Sequence, residues 1–212
     1  MTTNFVRIWA RAAVVAAALN APAAHAVIYL TGSVSASQSN AGFQTHNSRG
    51  GSGTVAFDLG RYVRLGFTHR QDLQSSSGYV ADSEGGCDIS DDTSLGERCL
   101  DYESKTHIIS NSVDFTLILY EGDVFVPFVM AGGIVKTYRF EIRKEGTDTL
   151  KEGPITDKFP RPNLGIGMGI RLNREFSLKL SYTTSPGARY TPDGEVHSAY
   201  DKVTSLGLTY QL

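Results

Sequence analysis

The residues of this chain best equipped for chemistry are few and widely spaced. Cys87 and Cys99 have eleven residues between them and no intervening histidine, which does not fit the close C-x-x-C spacing of redox and zinc sites. From Asp72 to Glu103 the chain carries Asp72, Asp82, Glu84, Asp88, Asp91, Asp92, Glu97, Asp101 and Glu103 against Arg98 alone. Asp88, Asp91 and Asp92 could offer hard oxygen ligands to calcium, but they lack the spacing of a defined calcium loop, and a solvated acidic loop is the simpler reading. Two histidine–serine pairs could form a nucleophile and base: His46 with Ser48, and His107 with Ser110. Catalysis would need each histidine within hydrogen-bond reach of its serine and an acidic group to orient it. On a strand, residues three apart point to opposite faces, so His107 and Ser110 are expected to diverge. His46 and Ser48 fall in the glycine-rich stretch SRGGSG and its flank, expected to be a loop. The glycines at 165, 167 and 169 precede no helical pattern and so make no nucleotide-binding loop. No catalytic residue, cofactor or metal is therefore expected.

The chain has 212 residues, 41% hydrophobic and 20% charged, with a formal charge of −2. That is too apolar for a disordered chain and too near neutral for a general nucleic-acid binder. No run reaches the roughly 18 apolar residues of a membrane-spanning helix. Residues 1 to 26 stand apart: Arg7 and Arg11 precede an apolar run from Ala12 to Leu19, and the segment closes on Ala24, His25, Ala26. Lacking acidic residues and ending in small ones, it reads as a secretory signal peptide cut after Ala26. The mature chain, 27 to 212, then loses two of its 20 basic residues and carries −4. Export into an oxidising compartment would make Cys87 and Cys99 an intraloop disulfide.

After Val27 the hydrophobic pattern has period two, as on a strand. One face collects Ile28, Leu30, Val34; Val55, Phe57; Val63, Leu65, Phe67; Val113, Phe115, Leu117; Leu164, Ile166, Met168, Ile170; Phe176, Leu178, Leu180; and Leu206, Leu208, Tyr210, Leu212. The other face is glycine, serine and threonine, interrupted by Asp58, Arg64, Asp114, Arg171 and Lys179. With the segment from Phe125 to Tyr138, apolar on both faces in its first half, this makes eight strands. A soluble sandwich would enclose its apolar face and expose long charged side chains. Small polar residues on the second face suit a narrow enclosed lumen instead.

The connections alternate. Short turns fall near Gly60 and Arg61, at 121 to 123 and at 173 to 175, and long polar connections at about 38 to 52, 72 to 104, 144 to 160 and 185 to 199. Short turns on one rim and long loops on the other mark an antiparallel up-and-down transmembrane β-barrel. Eight strands leave an interior just filled by side chains. Tyr62, Tyr120, Phe125 and Phe176 beside the short turns would form an interfacial aromatic girdle, although aromatics are common at strand ends in any case. Asp58, Arg64, Asp114, Arg171 and Lys179 are expected to pair across the lumen and plug it, the alternative being a narrow passive channel lined by the same residues.

On these residues the chain resembles the small eight-stranded outer-membrane barrels of Gram-negative bacteria: the OmpA transmembrane domain, the OmpX/Ail group and the opacity-type porin family. The resemblance covers the whole mature chain. Its most specific part is SLGLTYQL at the C-terminus, where Ser205, Gly207, Tyr210 and Leu212 match the family's assembly signal, with Leu212 standing where the family usually has Phe. PFVMAGG (127 to 133) is similar to the family's fifth strand, and GIGMGIRLNREFSLKLSY (165 to 182) to its sixth and seventh. The resemblance implies an outer-membrane location, contact with outer-membrane lipids and with the insertion machinery, and a monomer. It also implies a structural, adhesive or host-interaction role carried by the loops, with a lipid A-modifying enzyme as a remoter alternative.

Overall fold

The computed structural model describes residues 27–41, 44–81, 99–144, 149–190 and 196–212. Among these there is no helix; nine strand segments follow in order: β1 (Ile28–Ala41), β2 (Gln44–Asp58), β3 (Val63–Ala81), β4 (Cys99–Ile118), β5 (Phe125–Lys144), β6 (Leu150–Thr156), β7 (Arg161–Arg171), β8 (Phe176–Tyr190) and β9 (Val196–Gln211). Every pairing is antiparallel, in the circular order β1-β2-β3-β4-β5-β7-β8-β9, and β9 returns to β1 from Tyr29↔Gln211 to Ser35↔Ser205. The wall is thus a closed eight-stranded barrel, as the alternation predicts.

β6 is the outer continuation of β7. Both pair with β5, β7 up to Ile134↔Arg161 and β6 from Thr137↔Thr156 onward. Residues 157–160 bulge between them, and Asp157 fastens the break. Its carboxylate accepts the Lys136 N–H at 3.1 Å and meets Arg161 Nε at 2.8 Å, while its own N–H donates to the Lys136 carbonyl at 2.9 Å.

The alternation governs what each wall strand shows to either side. Leu30, Val34, Val55, Val113, Phe115, Leu117, Leu164, Ile166, Leu206 and Leu208 are exposed on the outside, nearest the short-turn rim. On β5 the outward run from Phe125 to Val135 covers about 25 Å of barrel height at the usual rise and tilt, the height of an outer-membrane apolar band. Tyr62, Tyr120 and Phe125 are exposed at the short-turn rim, and Phe176 packs on Tyr210 there with ring centroids 4.9 Å apart.

Two expectations are corrected. The segments assigned to long loops are largely strand: β1 and β2 stay in register to Ala41↔Gln44, β3 and β4 to Ala81↔Cys99, and β8 and β9 to Tyr190↔Val196. His46 and Ser48 therefore lie in β2 rather than in a loop. Beyond the apolar belt both faces of a strand are polar, so alternation vanishes while the hydrogen-bond ladder continues. Second, the lumen face is not uniformly small and polar, because β5 turns Val126, Phe128, Ile134, Tyr138, Phe140 and Ile142 inward, all buried.

Small residues on the lumen face have a packing reason. Phe128 lies opposite Gly167 and Met130 opposite Gly165, and a Cβ on either glycine would collide with the facing side chain. Asp114 likewise crosses over Gly132, where a Cβ would strike its carboxylate and the Val113 carbonyl. Phe128, Met130 and Asp114 thus each lie across a glycine on the neighbouring strand. Gly167→Val and Gly132→Val should each cost about 1–3 kcal/mol by overpacking. Gly53→Val, at an outward position with nothing within 4 Å of the added Cβ, should cost far less; urea unfolding of the refolded protein measures the contrast.

Candidate functional site

Two cavities lie in the lumen among the described residues. The larger, about 920 Å³, opens among the short turns and is lined by Tyr29, Asp58, Arg64, Glu121 and Arg171. The smaller, about 320 Å³, lies toward the other end and is lined mainly by serine and threonine, with Arg70, Asp72, Lys136 and Asp201. Thr31, Thr54, Thr68, Asp114, Met130 and Lys179 border both and form the waist between them.

Strand register brings hydroxyls together around this waist. Thr31 pairs with Thr209 at 2.8 Å, Ser33 with Ser52 at 2.6 Å, Thr54 with Thr68 at 2.8 Å and Ser181 with Ser205 at 2.9 Å, each directly across a strand pair. Such pairs satisfy small polar groups without bulk, which a narrow interior demands.

The five charged residues anticipated inside fall into separate clusters. Asp58 and Arg64, register partners on β2 and β3, form a 2.8 Å ion pair. Tyr29 closes the triangle: its hydroxyl donates to Asp58 Oδ2 at 2.8 Å and accepts from Arg64 at 2.9 Å, with the guanidinium 3.8 Å from the centre of its ring. Arg171 reaches Glu121 in the short turn before β5, at 2.8 Å. Asp114 is buried and bonded to neutral donors, Ser112 Oγ at 2.6 Å and Asn163 Nδ2 at 2.7 Å. Lys179 sits with its ammonium 5.0 Å from the centre of the Phe128 ring.

Two further ion pairs went unseen in the sequence. Arg70 and Asp72 pair on β3, with Arg70 also donating to Ser35 at 2.6 Å. Lys136 Nζ meets Asp201 Oδ2 at 2.6 Å and donates to the Pro186 carbonyl at 2.9 Å, both side chains being buried. This second pair spans the place where β6 and the outer half of β8 share no ladder. Tyr138 and Phe140, stacked at 5.8 Å, pack there with Ile108 and Ala188. Alternation could have flagged Asp72, Lys136 and Asp201 as inward, but Asp72 and Asp201 lay in segments read wholly or partly as loop or unassigned, and Lys136 on the strand whose faces were undecided.

His107 is exposed outside and Ser110 is buried inside, so the two diverge. Of His46 only its place in β2 is described. Of the residues expected to form the assembly signal, three lie in β9 and Leu212 follows it: Ser205 is in the lumen, Gly207 faces Ser33 too closely to admit a Cβ, Tyr210 packs at a tilt against Phe176, and the Leu212 N–H donates to the Ile28 carbonyl at 2.9 Å. The signal segment and Cys87 lie outside the described residues, as do Asp88, Asp91 and Asp92, while Cys99 opens β4. Among the described residues no group of three or more metal-ligating side chains comes together.

No protein-family model matches the chain, and no curated protein sequence matches it. Solved structures of similar shape include Neisserial surface protein A (11% identity, 88% of this chain and 96% of that one, TM-score 0.49). They also include the attachment invasion locus protein of Yersinia pestis (12%, 88% and 98%, TM-score 0.48) and a major outer membrane protein of Thermus thermophilus (14%, 89% and 100%, TM-score 0.43). These are likenesses of shape, at identities too low to carry residue roles across.

Two outcomes follow from the ion pairs. Asp201→Asn, which leaves the Lys136 ammonium buried without its partner, should cost about 3–5 kcal/mol, whereas the double change Lys136→Met with Asp201→Leu should recover most of that; urea unfolding of the unmodified protein and the two variants tests it. The Arg171 guanidinium, hydrogen-bonded to Glu121, holds its carboxyl below the ordinary carboxylate range. This stabilisation is present above that range and lost as pH falls through the lowered value. Glu121 is more than a third exposed, so screening keeps the effect below about 1 kcal/mol. Glu121→Gln should flatten that part of the acid limb of a pH–stability profile.

Proposed function

We propose that the chain is an integral outer-membrane protein of a Gram-negative bacterium, a monomeric closed-lumen barrel that anchors surface-exposed connections with a structural, adhesive or host-interaction role. The observation that carries this reading is the continuous belt of exposed apolar side chains around a sheet whose eight wall strands close on one another at the level of that belt. In water such a belt far exceeds the apolar patch a soluble monomer tolerates, and in hydrocarbon only helices and closed barrels satisfy their backbone. Lipid would cover the belt, and the insertion machinery would read the terminal strand with Ser205, Gly207, Tyr210 and Leu212.

The closed lumen is part of the proposal. Phe128, Met130 and Lys179 fill the waist, while Ile108, Tyr138 and Phe140 pack farther out. A narrow passive channel is the second reading, favoured by the fact that both cavities border the same waist residues. No catalytic role is proposed. What is specific then belongs to the connections at the rim opposite the short turns, above all the acidic stretch holding Cys87 and Cys99, which export would join by a disulfide.

Membrane fractionation with gel migration before and after boiling tests the location. The chain should sediment with outer membranes and shift mobility on heating, and recovery in the soluble periplasmic fraction would sink the reading. In planar bilayers the purified protein should show no large steady conductance; sustained channel currents would replace the closed lumen with the channel.

A further inference from the structure

Four lumen carboxylates, Asp58, Asp72, Asp201 and Glu121, are bound to a basic group, respectively Arg64, Arg70, Lys136 and Arg171. Asp114 and Lys179 break this pattern. Both oxygens of Asp114 are taken by the neutral donors Ser112 and Asn163, which fold its carboxylate back over Gly132 along the wall. Lys179 stands on β8, three strands round the barrel from β4, and its ammonium makes neither a hydrogen bond nor an ion pair with any described residue. Its neighbour is the face of Phe128, which cannot accept three N–H bonds.

The waist therefore holds spare donors and no anionic acceptor bonded to the ammonium. Lys179 offers three N–H groups. Each hydroxyl pair at this level, Thr31 with Thr209, Thr54 with Thr68 and Ser181 with Ser205, uses one O–H in its mutual bond and leaves the other available. Asp114 borders the same waist, but with its oxygens turned to Ser112 and Asn163 it makes no bond to Lys179, so water alone would leave the ammonium without a negative acceptor in contact. A small acceptor of negative charge meets the ammonium, the spare hydroxyls and the limited room together. We propose that the waist of the lumen is a binding site for a small monovalent inorganic anion of the halide type, held by the Lys179 ammonium and the adjacent hydroxyl pairs.

Bromide is the probe. Crystals of the full-length folded protein grown in sodium bromide should show an anomalous scattering peak within about 3.5 Å of Lys179 Nζ, kept in Lys179→Arg and lost in Lys179→Gln. Absence of the peak in the unmodified protein, or its persistence in Lys179→Gln, would overturn the proposal. A solution measurement needs no variant: bromide NMR lines should broaden on adding the folded protein and sharpen again as chloride competes. No broadening, or broadening that chloride leaves unchanged, counts equally against the site. Location and anion site fail separately, because neither readout depends on where in the cell the barrel resides.

Discussion

An open antiparallel sheet ends in two strands whose outward N–H and C=O groups have no partner, and this fold depends on removing both ends. The seven register pairs between β1 and β9, from Tyr29↔Gln211 to Ser35↔Ser205, do that. Once the ring is closed, each strand has an inside and an outside, and the two-residue period assigns every side chain to one of them. The apolar belt, the hydroxyl pairs and the ion pairs all inherit their placement from this closure. A slip of one residue between β1 and β9 would turn Leu206 and Leu208 into the lumen and Ser205 and Thr209 outward.

With eight strands the interior is so narrow that size on one strand must be matched by absence on the next. The glycines of β7 therefore face Phe128 and Met130 of β5, and Gly132 leaves room for Asp114 to reach Asn163 on the far side of β5. Charge follows the same economy. An ion buried in so small a space needs a partner within bonding distance, and most of the inward ions find theirs on the same or the adjacent strand, as Arg64 finds Asp58 and Arg70 finds Asp72. The expectation of one network across the barrel gives way to local pairs because adjacent strands lie closer than opposite walls.

The strand faces of β1, β2, β7, β8 and β9 were legible because each has an apolar side toward the belt and a small polar side toward the lumen. β5 was not, since Val126, Phe128, Ile134 and Tyr138 pack inward while Phe125 and Val129 point outward, leaving no contrast to read. The outer halves of β2, β3 and β4 were illegible for the opposite reason: His69, Gln71 and Asn111 outside face the same water as the polar lumen mouth inside. Asp58, Arg64, Asp114, Arg171 and Lys179 were recognisable as inward by parity. Their partners were not, because Tyr29, Glu121 and Asn163 are unremarkable until register sets them within 3 Å of those charges.

This difference between parity and partnership bears on what the barrel is for. A lumen shaped to pass solutes would keep its charges in water along a continuous path, where they could be exchanged. Here the Arg64 guanidinium is committed to an ion pair, a tyrosine hydroxyl and a tyrosine ring at once, and Lys136 to a carboxylate and a carbonyl. Groups satisfied this fully rigidify the wall they belong to. The lumen thus spends most of its polarity on holding itself together, as the proposed anchoring role requires.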